Sequence, residues 1–447
     1  MRKYDKVLME MEQQISGGSY RSGHKLPSVR SAAARYGCSV STVIRAYREL
    51  EQKHVIYSIP QSGYYVVEQP GEESVEAEDG TIDFGSASPD LNVFPYLDFQ
   101  HCLNQAIDTY KYHLFTYGET QGLAALRQTL VPHLADAQVF AAPGRIFITS
   151  GVQQALGILA KMPFPNGKET VLVEQPSYDI YLRFLEAEGI PVSGIPRSGD
   201  GIDLQLLEEY FRTGGIKFFY TMSRYHNPLG TSYTKEERQA IARLAGKYDV
   251  YVVEDDYMAD LGDSRPFDPI AAFDRSGHVI YLKSFSKIIF PGLSLGAAVL
   301  PETLLPVFQA HKSYMDTSLL SQAALDIYIK NGMYERHKHK IRSLYAERMA
   351  RLNEALQRYN SAGLIEAPGV DSGIYIQMKL PQTVNLEHLE KRLHKRKIRV
   401  VSGKGFYLSG YLEREKFLRI SISRARPEQI ATGVAAIVEE TAGGGWW

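Results

Sequence analysis

One lysine stands between two apolar stretches of this sequence. Lys287 follows the run HVIYLKS (278–284) and precedes IIFPGL. We expect a lysine placed there to be buried rather than on the surface, and burial disfavours the charged ammonium. A neutral ε-amine can bond a carbonyl carbon. Lys287 is therefore a candidate for such chemistry, with the hydroxyls of Ser284 and Ser286 close to it in the sequence.

An acidic cluster ends another apolar run. The segment VVEDDY (252–257) ends a strand, and Asp255 is a candidate to bind a ligand there. We expect Asp256 to be structural. Glu-Asp-Asp could also bind a metal ion, but no histidine accompanies it, so we expect no metal here and keep that site as an alternative.

The segment TSGVQQAL (149–156) is typical of a strand, a turn and the start of a helix. The first N–H groups of a helix have no partner within it and attract anions. We therefore expect the backbone of Gly151, Val152 and Gln153 to bind a phosphate.

The elements that would position these groups follow an alternating pattern. Apolar runs alternate with amphipathic stretches such as 235–248, which predicts a mainly parallel sheet with helices on both faces. A single long helix is expected over 321–356, followed by a smaller α+β region to about residue 440. The predicted strands are 145–150, 169–175, 216–222, 249–256 and 278–284.

The first 69 residues have a different pattern. Helical spacing predicts a helix over 3–16, a second from the N-cap Ser28 to about Tyr36, and a third starting near Ser39 or Ser41. The segment VIYSIPQSGYYVVE then predicts two short strands around a turn, a wing. These 69 residues hold ten basic and six acidic residues, a balance of +4 that suits a DNA-binding module.

Composition sets the remaining bounds. The chain has 447 residues, a net charge of −1 and two cysteines, which excludes a disulfide framework. We find no signal peptide and no membrane-spanning apolar run, so we expect a cytoplasmic protein. We divide the chain into a winged helix-turn-helix at 1–69, an acidic linker at 70–80, a larger domain at 81–440 and a disordered tail at 441–447.

The N-terminal module resembles the GntR family of bacterial regulators. The resemblance rests on Lys-Leu-Pro-Ser-x-Arg ending at Arg30, on Ser-x-x-Thr-Val-x-x-Ala-Tyr starting at Ser39, and on a wing glycine. It implies binding to a double-stranded DNA operator, with Val40 replacing a frequent basic residue and offering an apolar contact to a thymine methyl. The implied DNA-binding residues are Ser28, Arg30, Ser39, Ser41, Thr42, Arg45 and Gly63.

The larger domain resembles the aspartate-aminotransferase class of fold-type I proteins, which bind pyridoxal 5′-phosphate. The resemblance implies an internal aldimine at Lys287, with Asp255 on the pyridine nitrogen and Tyr178 stacked on the ring. Asn227 and Tyr257 would bond the ring 3′-oxygen. Tyr117 would reach the phosphate of the partner subunit. The implied cofactor-binding residues are Gly151, Val152, Gln153, Tyr178, Asn227, Asp255, Tyr257, Ser284, Ser286, Lys287 and Tyr117.

Two arginines are implied to bind an effector. Arg419 matches the class residue that grips a carboxylate, and Arg424 matches an effector-binding arginine of a γ-aminobutyrate-responsive relative. Asp179 stands where that relative has basic residues, so we do not transfer its ligand. Ser294 occupies the position of the usual phosphate-binding arginine, a departure that predicts weaker cofactor binding.

Together the two resemblances point to the MocR subfamily. They imply an α/β protein with an N-terminal winged helix, a large aminotransferase-like domain and a small α+β C-terminal domain. The implied function is pyridoxal-phosphate-dependent transcription regulation by a homodimer, domain-swapped, that senses an amine, an amino acid or the cofactor itself. For the regulator, at most residual transaminase activity is expected. Two alternatives stay open: a true aminotransferase with an appended DNA-binding module, and a dimeric repressor without cofactor.

Overall fold

The computed structural model describes residues 3–20, 23–53, 55–59, 61–67, 80–262, 267–314 and 316–443. The chain divides into two compact units, Met1–Gly80 and Thr81–Trp447. Residues 70–79 of the expected linker and 444–447 of the expected tail lie outside the described residues. Position 441 was expected in a disordered tail, but Thr441 is buried in the last helix and its hydroxyl donates to the Ile437 carbonyl at 2.7 Å.

The first unit forms the expected three helices and hairpin. Ser28 and Ser39 cap the second and third helices, and Gly37 ends the second in a left-handed conformation (φ 58°) that glycine adopts without strain. The two strands pair antiparallel, with Ile56 opposite Val66. The elements are α1 (Lys3–Ser16), α2 (Val29–Tyr36), α3 (Val40–Gln52), β1 (Ile56–Ile59) and β2 (Gly63–Val66).

An eight-stranded sheet organises the second unit. Its order is β4-β11-β10-β9-β8-β5-β6-β7, with parallel pairing from β10 through β6 and antiparallel pairing at β11 and β7. The strands of this sheet are β4 (Ile146–Thr149), β5 (Thr170–Gln175), β6 (Val192–Ser198), β7 (Gly201–Ile202), β8 (Ile216–Thr221), β9 (Tyr251–Asp255), β10 (Val279–Ser284) and β11 (Gly296–Val299).

Both faces of this sheet are buried, as the continuous apolar runs predict. Successive strand residues enter different cores: Phe218 packs in one and Phe219 in the other. The helices of this unit are α4 (Tyr96–Tyr110), α5 (Ala124–Ala135), α6 (Gly151–Lys161), α7 (Asp179–Ala187), α8 (Leu204–Thr213), α9 (Lys235–Tyr248), α10 (Ile270–Phe273), α11 (Leu305–Lys312), α12 (Leu319–Lys330), α13 (Met333–Tyr359), α14 (Leu386–Lys395) and α15 (Pro427–Ala442).

The single helix expected over 321–356 is wrong. The chain forms two helices there, because α12 ends at Lys330 and α13 begins at Met333. Gly332 lies between them at φ 69°, a left-handed conformation that interrupts a right-handed helix.

A smaller α+β region completes the second unit. One sheet has the order β12-β15-β14, built from Tyr375–Lys379, Phe417–Ser421 and Val401–Ser402. A separate pair joins β3 (Ile82–Asp83) in parallel to β13 (Ile398–Arg399). Next to β3, Phe84 packs so closely beneath α15 that a Cβ at Gly433 would lie 2.4 Å from its ring. The start of the unit is therefore anchored to its C-terminal region.

No helix among the described residues combines the length and the apolar character that crossing a membrane requires.

Candidate cofactor cavity and winged helix

A cavity of about 400 Å³ lies where strands of the large sheet end. β9 ends at Asp255 and β10 at Ser284, and α6 begins at Gly151. Parallel strands bring their carboxyl ends to one edge, which is where ligands bind in such sheets. The residues lining it are Ala87, Ser150, Gly151, Val152, Gln153, Tyr178, Asp179, Ile180, Met222, Asn227, Asp255, Tyr257, Ser284, Ser286, Lys287, Pro291, Ser294, Tyr375 and Arg419.

Lys287 supplies an amine to this cavity. Its Nζ donates to the carbonyl of Ala87 at 2.6 Å. Burial, and next the positive charge of Arg419, lower the pKa of Lys287 to about 8, while Asp255 raises it. An appreciable fraction of the amine is therefore neutral near pH 7, as bonding to a carbonyl carbon requires.

Asp255 has one oxygen bonded and one free. Oδ2 accepts from the Tyr220 hydroxyl at 3.0 Å, whereas Oδ1 is buried without a hydrogen-bond partner in the described part of the chain. Burial, assisted by Asp256, raises the pKa of Asp255 to about 7, against the lowering effects of Tyr220 and Lys287. A buried acceptor of this kind fits a ligand that brings a cationic N–H, such as a pyridinium.

The two other acids of the Glu-Asp-Asp cluster face different partners. Glu254 accepts from the backbone N–H groups of Ile270 and Ala271 at 2.8 and 2.9 Å. Asp256 binds Arg224 through Nε at 2.6 Å and Nη2 at 2.5 Å, the structural role expected for it. No group of three or more potential metal-ligating side chains occurs among the described residues.

The start of α6 lies open toward the cavity. Ser150 makes no side-chain cap on this helix, and Gly151 has φ 72°. Gly296 on β11 passes so close that a Cβ there would lie 3.0 Å from the Val152 nitrogen. Uncapped N–H groups at a helix N-terminus, beside Ser284 and Ser286, fit a phosphate.

Two tyrosines of the cavity are already hydrogen-bonded. Gln153 Nε2 donates to the Tyr178 hydroxyl at 2.7 Å, and burial raises the pKa of Tyr178 to about 12. The Tyr257 hydroxyl donates to the carbonyl of Tyr225 at 2.7 Å. Tyr257 was expected to donate to a ring oxygen, and it can do so only by breaking this bond.

Arg419 lies on β15 and projects into the same cavity. Nη2 donates to the Gly85 carbonyl at 2.7 Å and Nη1 to Asn227 Oδ1 at 3.3 Å, while Nε is buried with no partner in the described chain. The guanidinium packs 4.7 Å from the centre of the Tyr375 ring. A carboxylate could replace the carbonyl and amide oxygens that Arg419 now engages.

Two residues expected at the site lie outside the cavity lining, and a third, Ser294, lines it without supplying the usual arginine. Arg424 does not line the cavity, and neither does Tyr117, whose side chain is 96% exposed. Ser294 does line it, in a left-handed conformation at φ 49°. Arg419 is the one arginine among the described lining residues, so the missing phosphate-binding arginine is not replaced from within these residues.

The sequence reading missed several lining or supporting residues, including Ala87, Tyr220 and Tyr375. Tyr220 lies within the apolar run 216–222, and only the register that pairs it with Val253 brings it beside Asp255. The aromatic hydroxyl of Tyr220 in a fully buried central strand was the available signal, because such a group needs a buried partner.

A fully buried ionic cluster supports the loop that carries Asn227. Glu174 accepts from Arg197 Nη1 at 2.6 Å and from Thr221 at 2.7 Å, and His226 Nε2 lies 3.0 Å from its other oxygen. Burial opposes ionisation of Glu174, yet Arg197 and His226 lower its pKa to about 2. Burial and Arg197 lower the pKa of His226 to about 4.

In the first unit, some expected DNA-binding residues are also helix caps. Ser28 Oγ accepts from the Ser31 N–H, and Ser39 Oγ from the Thr42 N–H, both at 3.2 Å. The hydroxyls of Ser41 and Thr42 each lie 2.8 Å from Ser39 Oγ. Ser28 therefore caps the start of α2, and Ser39 caps the start of α3.

Other expected DNA-binding residues are on the surface. Arg30 is exposed, Arg45 is exposed with its guanidinium 4.6 Å from the Tyr4 ring centre, and Val40 is 45% exposed at the first turn of α3. Gly63 has φ 122°, and a Cβ there would lie 3.2 Å from Lys25 Cε, so the wing requires glycine.

Comparisons with known proteins agree with this geometry. Residues 90–437 match the family Aminotransferase class I and II, and residues 3–66 match Bacterial regulatory proteins, gntR family. An uncharacterized HTH-type transcriptional regulator of Bacillus subtilis, YcxD, is 48% identical over 98% of this chain and 99% of its own. The Escherichia coli regulator YdcR, also uncharacterized, is 29% identical over 91% and 92%.

Solved structures show the same fold for the second unit. A kynurenine aminotransferase from Pyrococcus horikoshii, in complex with PMP, has a TM-score of 0.74 at 27% identity over 81% of this chain and 91% of its own. The α-aminoadipate aminotransferase LysN from Thermus thermophilus has a TM-score of 0.73 at 26% identity over 82% and 93%.

These matches confirm the expected fold class and both resemblances. The chain belongs to the class I and II aminotransferase family over most of its length and is a GntR-family transcription regulator with an aminotransferase-like domain, the MocR-type architecture.

Proposed function

We propose that this regulator binds pyridoxal 5′-phosphate in the cavity at Lys287 and changes its DNA binding when a small amine or amino acid enters beside the cofactor. The observation that carries the proposal is one cavity holding a lysine amine whose pKa is lowered to about 8, an unpartnered Asp255 oxygen and an uncapped helix N-terminus. These are the three groups that an aldehyde, a pyridinium and a phosphate require.

Under this proposal, the cavity residues bind different parts of the cofactor and the effector. Lys287 would hold the cofactor through its aldehyde, Asp255 Oδ1 would accept the pyridine N–H, and the backbone at Gly151 with Ser284 would bind the phosphate. When bound, the cofactor supplies an aldehyde carbon that primary amines can bond. Arg419 would bind an effector carboxylate.

The cavity also offers a route to the DNA-binding unit. Its two cations donate to carbonyls of one short segment, Lys287 to Ala87 and Arg419 to Gly85. In the sequence this segment follows the stretch 70–80, which joins the two units. A cofactor or effector that engages Lys287 and Arg419 competes with these carbonyls, and such competition needs only a few kcal/mol, roughly 1–3, to couple two sites.

We propose that the regulator acts as a homodimer, domain-swapped, on a double-stranded operator. Tyr117 is 96% exposed, and Leu97 (74%) and Tyr112 (85%) are also exposed in the same unit. Large apolar side chains left exposed in one chain favour a second copy as their cover. In that assembly Tyr117 would reach the partner subunit's phosphate.

The test combines absorbance with DNA binding. The full chain loaded with pyridoxal 5′-phosphate should show a visible absorption band, and a panel of amines and amino acids should change both this band and the affinity for operator DNA. Lys287→Ala should abolish the band and the effector response, whereas the exposed control Lys235→Ala should keep both. Survival of band and response in Lys287→Ala would refute the proposal.

The second candidate is a true aminotransferase. It is favoured by the full set of cavity residues and by the similarity to solved aminotransferases. Steady turnover of an amino acid with a keto-acid acceptor would support it. The cofactor-free repressor is favoured by Ser294 alone. A colourless protein whose spectrum does not change with added pyridoxal 5′-phosphate would support that candidate.

A further inference from the structure

The charges lining the cavity leave one acid without a role. The described lining contains two cations, Lys287 and Arg419, and two carboxylates, Asp255 and Asp179. Under the proposed function the cofactor takes Lys287 and Asp255, and an effector carboxylate takes Arg419. Asp179 then remains as an additional acidic side chain in the cavity lining.

Asp179 has no ion-pair or hydrogen-bond partner for its carboxylate among the described residues. It is half-buried and is the first residue of α7. An acidic side chain that lines a cavity and lacks a partner can bind a ligand group of opposite charge.

Asp179, Arg419 and Tyr375 all line the cavity, and both charged groups act on Tyr375. Tyr375 packs 4.7 Å from the Arg419 guanidinium. Burial raises the pKa of Tyr375 to about 12, and of the two charges that act on it Arg419 lowers this pKa and Asp179 raises it. Tyr375 therefore lies within the field of both groups, so one small ligand beside it can meet a cation and an anion.

We infer that the effector is an α-amino acid with a basic side chain, whose carboxylate binds Arg419 and whose side-chain cation binds Asp179. This inference rests on the proposed function, and it narrows the effector from amines and amino acids in general. Neutral amino acids would leave Asp179 unpaired, and acidic amino acids would place their side-chain carboxylate against that of Asp179. Ile180, 52% exposed beside Asp179, offers apolar contact to an aliphatic side chain.

The experiment uses the full chain loaded with pyridoxal 5′-phosphate and four probes. L-Lysine and L-ornithine carry both charges, L-norleucine lacks the side-chain amine, and cadaverine lacks the carboxylate. Affinities are measured by calorimetry and by the change in visible absorbance. We expect L-lysine to bind about tenfold more tightly than L-norleucine, the gain of one charge-assisted contact in a half-buried site, and more tightly than cadaverine.

Two variants assign this preference to Asp179. In Asp179→Asn the ratio of L-lysine to L-norleucine affinity should fall from about ten to about one. Asp200→Asn, which neutralises an exposed aspartate outside the cavity, should keep the ratio of the unmodified chain. Both changes are isosteric, so the comparison separates the charge at 179 from a general loss of charge.

The outcomes distinguish the inferred effector specificity from the proposed sensor function. If amino acids bind but L-norleucine or cadaverine equals L-lysine, or if Asp179→Asn keeps the preference, the inference is wrong while the proposed sensor stands. If none of the four probes binds or changes the spectrum, and a wider panel of amines and amino acids also fails, the proposed sensor falls and this inference falls with it.

Discussion

Tyr220 donates a hydrogen bond to Asp255 at 3.0 Å across two neighbouring parallel strands, which fixes one carboxylate oxygen and leaves the other without a partner in the described chain. The pair thus presents a single oriented acceptor at the floor of the cavity. A pyridinium bonded there gains a charge-assisted hydrogen bond in a buried site, which is stronger than a neutral one.

We expect Asp255→Asn to weaken binding of pyridoxal 5′-phosphate by at least about tenfold, since charged hydrogen bonds contribute roughly 1.5–3 kcal/mol. Tyr220→Phe should weaken it less, because the carboxylate remains but loses the bond that lowers its pKa. Fluorescence titration with the cofactor measures the affinity of each variant, with Asp200→Asn as the control. Unchanged affinity in Asp255→Asn would exclude the assigned pyridine partner.

The lysine of the cavity predicts a pH-dependent stability. The pKa of Lys287 is about 8 in the folded chain, whereas an unfolded lysine has about 10.4, so the unfolded state binds the extra proton. Folding is therefore penalised below pH 8, and the penalty disappears as pH rises from 8 toward 10.4. It amounts to about 3 kcal/mol at most.

Lys287→Met should consequently raise the apparent Tm of the cofactor-free protein at pH 7, and this gain should shrink as pH rises toward 10. Thermal scans followed by circular dichroism between pH 7 and 10 measure it. A gain that does not change with pH would mean that packing, not charge, causes it.

The buried cluster around Glu174 predicts acid sensitivity. The pKa of His226, lowered to about 4, makes stability fall as pH drops from about 6.5 toward 4, because the unfolded histidine takes up the proton first. The pKa of Glu174, lowered to about 2, extends the loss from 4.5 downward. Glu174→Gln should cost roughly 3–5 kcal/mol by leaving Arg197 without its counter-charge.

Glu174→Gln should also lose the pH dependence of stability between pH 4.5 and 2, which thermal scans at each pH would follow. The exposed pair of Glu208 with Lys247 provides the control, because Glu208→Gln should leave the apparent Tm unchanged. If Glu174→Gln and Glu208→Gln lowered the apparent Tm equally, burial would not be the reason that the Glu174 ion pair stabilises the fold.

The close approach of β11 to α6 predicts a steric effect. In Gly296→Ala the new Cβ would lie 2.9 Å from the Gly151 carbonyl carbon and 3.0 Å from the Val152 nitrogen, both backbone atoms. The start of α6 must shift, and phosphate binding should weaken by about tenfold or more, since one misplaced charge-assisted hydrogen bond costs roughly 1.5–3 kcal/mol. Gly292→Ala, whose Cβ would meet only Phe290 at 3.6 Å, is the matched control.

Titration with pyridoxal 5′-phosphate and with inorganic phosphate compares the two glycine variants. Equal affinities in both would show that the backbone at Gly151 does not bind the phosphate.

The winged helix predicts a salt dependence. If Arg30 neutralises one phosphate, Arg30→Ala should weaken binding to all DNA sequences and reduce the slope of log affinity against log salt by about one. Arg45→Ala should behave in the same way, while Arg275→Ala, exposed in the second unit, should leave the slope unchanged. Fluorescence anisotropy with operator and random DNA measures these slopes.

Local patterns predicted most of the fold because local physics determines it. Continuous apolar runs gave the central strands, and Ser28, Gly37 and Ser39 marked helix ends through capping. The long helix was misread because Asn331 and Gly332 are tolerated in helical patterns, and a helical periodicity continues past them.

The cavity residues were predictable where a motif placed them at a strand end. Asp255, Lys287 and Gly151 follow this rule. The hydrogen-bond partners of Lys287 and Arg419 were not predictable, because they are the backbone carbonyls of Ala87 and Gly85, which lie 200 and 334 residues away in the sequence. Contacts of that separation depend on tertiary packing, which leaves no periodic trace in the sequence.

The packing of Phe84 beneath Gly433 ties the linker-proximal strand to the last helix of the chain. Proteolytic loss of α15 would remove that anchor while sparing every residue of the winged helix. Under the proposed function, a chain truncated in this way would keep the residues proposed to bind DNA but lose packing that supports the cavity. Its DNA binding would then no longer respond to the small molecule.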